Sequence, residues 1–395
     1  MGAPTQISLI TAGKDKHYAT ALAAALLAAG HSFDFTGSDE VDAPELHNNP
    51  RVNFFNLRGD QSKNASMVTK MKRVTMYYWK LMAYAATAKP RVFHILWNNK
   101  FEFFDRTLLM LYYRLLGKRI VFTAHNVNAG VRDAVDSPWN RLTLKIQYRL
   151  CAHIFVHTQK MKDELVADYG VRTERISVIP LGFYSTVPNT ALTPAAAKQK
   201  LGLSAQDKVI LFFGNIAPYK GVEYLLTAFA ELARRDAGYR LVIAGRPKGP
   251  PEYWAGLKKQ IADSGAAERI VQNIEYIADE EIEVYFKAGD VLVQPYTHIF
   301  QSGVLILGFS FGIPVIAADV GSLKEDVIEG RTGFIFPPRN ATSLEMTVEK
   351  FFASGLYLER DQRRPEIRAY ADEQYSWKKV AHITTAVYSN LTNET

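Results

Sequence analysis

Residues 291–336 read VLVQPYTHIFQSGVLILGFSFGIPVIAADVGSLKEDVIEGRTGFIF, and this stretch sets the fold class. An apolar run at 291–293 reaches Pro295 and then a polar loop, 296–301. A helical pattern starts at Ser302, ends at Gly312 and feeds a second apolar run at 315–318. Ser302 suits an N-cap, and Gly303 lets another molecule come close to the backbone. The first turn of such a helix offers unpaired amides and the positive end of a dipole, a combination that favours phosphate. Strand, loop, helix and strand in that order describe the carboxyl-end crevice of a parallel sheet, where open α/β folds bind ligands.

The same alternation extends both ways along the chain. Strands are expected at 7–11, 33–35, 52–56, 92–96, 120–124, 154–157 and 176–180. After a linker rich in Ser, Thr, Pro and Asn (184–193), further strands are expected at 209–213, 241–244, 270–272, 291–293, 315–318 and 333–336. Helical stretches separate them, which means parallel sheets covered on both faces. The fold class is therefore α/β, with two doubly wound, Rossmann-like domains facing a central cleft. Their expected bounds are 1–185 and 186–375, with a terminal helix, 376–395, packing back on the first domain.

A chain of 395 residues, 48% apolar and 22% charged, has the balance of a globular protein and the length of two domains. Cys151 is the only cysteine, which excludes an internal disulfide and fits a reducing compartment. The first six residues lack the features of a signal peptide, and no apolar run approaches 18 residues. The expected location is the cytoplasm, including its membrane face. The net charge of +7 reads as diffuse, and no nucleic-acid module accompanies it, so no nucleic-acid partner is expected. In the helical pattern 66–88, four basic residues alternate with Met, Trp and Tyr. An anionic membrane surface and a partly buried helix with a solvated face both explain it. The apolar pattern 103–116 reads as one helix in the core.

Chemistry concentrates at strand ends. The second domain opens with LFFGNIAPYKGVEYLLTAF: a strand ending at Gly214 and Asn215, then Lys220 just before a helix. An ammonium there can neutralise a diphosphate held at neighbouring helix ends. Gly245 and Arg246 follow the next strand, and Ile277 precedes an acidic helix where backbone groups can read a nucleobase edge. In the first domain, Gly13 lies in the first strand-to-helix loop, and His125 emerges at the carboxyl end of the strand 120–124. No Gly-x-Ser-x-Gly, His-Glu-x-x-His, dinucleotide glycine fingerprint or Walker A loop is present.

In this order, TAHNV, HTQKMKDEL, ISVIPLGF, GNIAPYKG, YIADEEIEVYFKAGDVLVQPY, the 302–334 segment and YSWKKVA resemble the family 4 glycosyltransferases of the GT-B fold. The resemblance implies a nucleotide-sugar donor held by the second domain and a glycan or lipid-linked acceptor held by the first. It also implies hexose transfer with retention at the anomeric carbon, without a metal or other cofactor. By resemblance, Lys220 meets the donor diphosphate, Ser302, Gly303 and Val304 start the helix at the phosphate or donor sugar, and Ile277 meets the base. His125 matches a histidine near the transferred sugar, and Glu325 a glutamate after the glycine-containing loop. Asn215 stands where the family usually has arginine, and Ile299 and Leu307 where it commonly has two glutamates. The first loop lacks the usual glycine pair. Gln301, His298 and Glu325 are the polar residues placed to replace the glutamates. Three readings follow: a glycosyltransferase of bacterial surface polysaccharide or glycolipid synthesis, a non-catalytic nucleotide-sugar-binding partner subunit, and a nucleotide-sugar epimerase.

Overall fold

The computed structural model describes residues 7–12, 16–42, 44–62, 65–99, 101–132, 135–182 and 187–393. Contacts divide the chain into two units, 1–182 with 377–395, and 183–376. Residues 184–186 of the expected linker and Gly13 lie outside the described residues.

The first unit contains seven parallel strands: β1 (Ile7–Ile10), β2 (Phe33–Gly37), β3 (Val52–Asn56), β4 (Val92–Ile95), β5 (Arg119–Thr123), β6 (His153–Val156) and β7 (Ile176–Val178). Their order is β3-β2-β1-β4-β5-β6-β7. The chain runs outward from β1 to β3, then returns to β4 beside β1, so the connections reverse direction between β1 and β4. β1 and β4 are buried along their whole length, which explains why ISLI and VFHI carry no alternation. Right-handed crossovers put the helix Lys16–Ala28 on one face. The helices Met67–Thr87, Leu108–Leu115 and Pro138–Leu150 lie on the other. The final helix, Trp377–Asn393, packs Val380, Ala381 and Tyr388 into the cluster built by Tyr18, Leu22 and Leu26.

The second unit has six parallel strands: β8 (Lys208–Phe213), β9 (Tyr239–Ala244), β10 (Ile270–Asn273), β11 (Val291–Gln294), β12 (Val315–Ala318) and β13 (Gly333–Phe336). The order β10-β9-β8-β11-β12-β13 puts its switch point between β8 and β11. The helix after β11 is Gly303–Ser310, with Ser302 as N-cap: its hydroxyl accepts from the Leu305 amide at 3.4 Å.

One expected element differs. The pattern 103–116 forms two helices, Glu102–Arg106 and Leu108–Leu115, broken at Thr107, whose hydroxyl donates back to the Phe103 carbonyl. It is also not a core helix: only Leu109, Met110 and Tyr113 of the second piece are buried, while Leu108, Leu111 and Leu115 are exposed.

Candidate functional site

Three segments meet at the β8–β11 switch point. After β8 the chain passes Gly214 and Asn215, both half-buried, and makes a short 3-10 turn, Pro218–Lys220. Gly221 then caps the helix Val222–Arg235 with φ +64, and a Cβ there would stand 2.0 Å from the Pro295 carbonyl oxygen. Only glycine permits that approach in that conformation. The Thr297 amide donates to the Tyr219 carbonyl at 2.9 Å, which ties the turn to the loop after β11. Lys220 is consequently 6% exposed, its Nζ 3.7 Å from the centroid of the Tyr296 ring.

The other side of the switch point carries the Ser302 helix start. Gln294, last residue of β11, donates from Nε2 to the Ser302 hydroxyl at 3.1 Å. Among the described residues, the Gly303 and Val304 amides find no protein acceptor. Val304 faces Gly214: a Cβ on that glycine would lie 3.5 Å from Val304 Cγ2. Gln301 Oε1 is buried without a partner. A buried ammonium and orphan amides thus flank one position at the carboxyl ends of two adjacent strands, an arrangement that favours an anion.

Gly245 and Arg246 continue this edge after β9. The Gly214 amide donates to the Ala244 carbonyl, and the Gly245 amide to the Asn273 carbonyl, each at 2.9 Å. Gly245 has φ +143, and a Cβ on it would meet the Gly214 carbonyl at 2.0 Å. Arg246 is exposed, its guanidinium 5.7 Å from the centroid of the exposed Tyr276 ring. Ile277, after β10, has a buried side chain. Glu325 lies beyond β12 on the short helix Leu323–Asp326 and is exposed. Its neighbour Asp326 is buried, accepts from the Tyr375 hydroxyl at 2.7 Å, and is pushed up to about 7 by burial. Of the two places where resemblance expects glutamate, Ile299 is half-buried and Leu307 is packed into the apolar helix.

His125 belongs to the first unit, in the loop after β5, and it is half-buried. Its ring stacks on Trp97 with centroids 4.0 Å apart and planes 5° from parallel, and meets Tyr18 edge-on at 4.8 Å. His157 approaches the Ile179 carbonyl with Nδ1 at 3.2 Å and His125 Nδ1 with Nε2 at 2.9 Å. A carbonyl only accepts, so His157 donates from Nδ1 and His125 donates from its own Nδ1 to His157 Nε2. His125 Nε2 is left as the lone-pair nitrogen, buried and without a hydrogen-bond partner among the described residues. Burial, reinforced by His157, holds His125 well below the ordinary histidine range, and burial lowers His157 to about 4. At neutral pH the His125 ring is therefore uncharged: Nδ1 keeps its proton, and Nε2 can act only as an acceptor.

Sequence reasoning missed Tyr296, Trp97, Tyr18 and His157, which come from separate segments. It also missed a depression of about 290 Å³ in the first unit, lined by Glu102, Phe103, Arg106, Trp139, Asn140 and Thr143. There Phe103 stacks on Trp139 at 5.4 Å, and Arg106 donates to Asn140 Oδ1 at 2.7 Å. Arg106 Nε is buried without a partner.

A sequence-family model described as Glycosyl transferases group 1 matches residues 207–354, and one described as Glycosyltransferase Family 4 matches residues 16–184. The chain belongs to the glycosyltransferases of the GT-B fold. It is 27% identical over 289 residues to the D-inositol 3-phosphate glycosyltransferase of Corynebacterium efficiens, covering 69% of this chain and 66% of that one. To the enzyme of the same description from Nocardia farcinica it is 33% identical over 247 residues, covering 59% and 51%. The chain thus spans about half to two thirds of the length of these relatives. Among solved structures, sucrose-phosphate synthase from Thermosynechococcus elongatus has the same fold, with a TM-score of 0.76 and 19% identity over 98% of this chain and 99% of that one. Anabaena HepE, solved in complex with UDP-glucose, has a TM-score of 0.71 and 17% identity over 96% and 99%.

Proposed function

We propose that this glycosyltransferase moves a hexose from a nucleoside-diphosphate sugar to a glycan or lipid-linked acceptor, with retention and without a metal, in the synthesis of surface polysaccharide or glycolipid. The observation that carries the reading is Lys220. A lysine 6% exposed, seated on the Tyr296 ring beside the open Gly303 and Val304 amides, fixes a positive charge at the helix start where a diphosphate would sit. The diphosphate gains charge as the bond to the sugar breaks, so a fixed cation and fixed amides favour the transition state over the bound donor. In this reading Gly214, Asn215, Ser302, Gly303 and Val304 line the phosphates, and Gln301 and Glu325 serve the sugar. Arg246 and Ile277 would flank the base. His125, neutral and with its Nε2 lone pair open, would accept from a sugar hydroxyl. The acceptor hydroxyl would attack from the face the diphosphate leaves, with the departing phosphate taking its proton. The depression around Arg106 and Trp139 pairs an aromatic face with polar groups, which suits a sugar acceptor.

A second reading is favoured by Asn215, Ile299 and Leu307. Neither apolar residue can hydrogen-bond a sugar, as a nucleotide-binding partner subunit without transferase activity would tolerate. Nucleoside diphosphate release from a panel of donor sugars, with and without acceptor, separates the alternatives. Acceptor-dependent release supports transfer. Isomerised donor without acceptor marks an epimerase, and binding without either product marks the partner subunit.

A further inference from the structure

We infer that the outer face formed by the helices Met67–Thr87, Leu108–Leu115 and Pro138–Leu150 is a docking surface for an anionic lipid bilayer. The inference begins with charge. Residues 66–150 hold fifteen lysines and arginines against four aspartates and glutamates, a net +11, so the rest of the chain nets −4. The basic excess is therefore not diffuse, as the whole-chain composition suggests, but belongs to one segment. Apolar exposure is concentrated in the same place. Among the described residues, fifteen of the twenty-one exposed large apolar side chains lie between Met67 and Leu142.

Topology gathers these residues onto one surface. The connections β3–β4, β4–β5 and β5–β6 all run in the same direction across the sheet, so right-handed crossovers put their helices side by side on one face. The Tyr112 hydroxyl donates to the Met82 carbonyl at 3.1 Å, joining the first two of these helices. Each helix buries one stripe and presents another. On the first, Tyr77, Leu81 and Tyr84 face the sheet, while Val68, Lys72, Met76 and Lys80 follow one another at four-residue steps outside, with Trp79 beside them. On the second, Leu108, Leu111 and Leu115 form the exposed stripe, and on the third Leu142, Lys145 and Arg149.

The occupant follows from that mixture. Lys72, Lys80, Arg114 and Lys145 are exposed and make no ion pair among the described residues, whereas Arg73 and Arg141 are paired with Asp60 and Asp136. Apolar chains interleaved with unpaired cations fit the boundary between acyl chains and anionic headgroups. A second copy of the same face would set cation against cation. Among the described residues no helix is long and apolar enough to cross a membrane, so docking would be peripheral on this face.

The proposal extends the lipid-linked acceptor reading, but its test needs neither donor nor acceptor, so either can fail alone. The full chain is sedimented with phosphatidylcholine vesicles, with and without phosphatidylglycerol, at low and high salt. Two double variants are compared, Lys72→Gln with Lys80→Gln, and Trp79→Ser with Leu115→Ser, each checked for an unchanged circular dichroism spectrum. Each cation near such a surface contributes about 1 kcal/mol, so the first pair is expected to weaken binding to anionic vesicles roughly 25-fold. The second pair is expected to weaken binding at both salt concentrations. Equal binding of the wild type to neutral and anionic vesicles, binding to neither, or no loss in either variant would overturn the proposal. So would a wild-type dimer that these substitutions split into monomers.

Discussion

Replacing Lys220 with methionine keeps most of the buried stem and removes the charge, so it isolates what the ammonium does. The substitution removes the attraction to the Tyr296 ring, 3.7 Å from Nζ, together with a cation held at 6% exposure, so the stability of the unliganded variant is measured alongside. A donor diphosphate would feel the loss directly. A hydrogen bond to a charged group is worth about 1.5–3 kcal/mol, equivalent to roughly 10- to 150-fold in Kd. Because charge grows on the diphosphate during transfer, turnover should fall further, by roughly 100- to 1,000-fold, as for other fixed donors aimed at developing charge. The assay is calorimetric titration with a nucleoside diphosphate and with the free nucleoside, followed by steady-state turnover. Diphosphate affinity should drop and nucleoside affinity should stay. Unchanged diphosphate affinity, or equal loss for both ligands, would refute the assignment.

Two further outcomes follow from local geometry. Gly221→Ala adds a Cβ 2.0 Å from the Pro295 carbonyl at φ +64, so urea denaturation should show a loss of at least about 2 kcal/mol, with weakened diphosphate binding as the two loops separate. Wild-type stability would mean that the turn does not lock Lys220 in place. His94 is buried between the Tyr388 and Thr123 hydroxyls, at 2.5 and 2.7 Å, and burial lowers it from 6.5 to about 3. Its folded pKa lies below its unfolded one, so its stabilising contribution is full above pH 6.5. It is lost as the pH falls toward 3, at about 1.4 kcal/mol per pH unit. The stability of His94→Gln should therefore vary with pH in that window less steeply by about one proton, and an unchanged slope would contradict this.

The parts of the fold legible in the sequence are those fixed by local physics. Central strands such as VILFF and VIAA are buried on both faces, so each shows as an apolar run, and Ser302 marks its helix because a short hydroxyl side chain satisfies the first amides. Lys220 and Ser302 could be placed at one sheet edge because both follow strands, but the aromatic seat under Lys220 could not be read, since Tyr296 lies 76 residues away in the chain. The break at Thr107 was hidden because a threonine hydroxyl bonding back to Phe103 leaves the surrounding apolar pattern intact. His125 was placed correctly after β5, while its neutral state depends on Trp97, Tyr18 and His157, each from another segment. Charge was misread for a related reason: a whole-chain total of +7 conceals a +11 segment balanced elsewhere.

The central claim, that the second unit binds a nucleoside-diphosphate sugar, is tested most directly by thermal stabilisation across a panel of UDP, GDP, dTDP and ADP and their sugars. A ligand bound only by the folded protein adds about 2.7 kcal/mol at one hundred times its Kd, enough to raise the unfolding midpoint of a domain this size by several degrees. The account predicts that one nucleotide series does so, with the midpoint climbing as the logarithm of ligand concentration. No shift from any of them, at concentrations where Lys220 and the Gly303 and Val304 amides should be saturated, would contradict it.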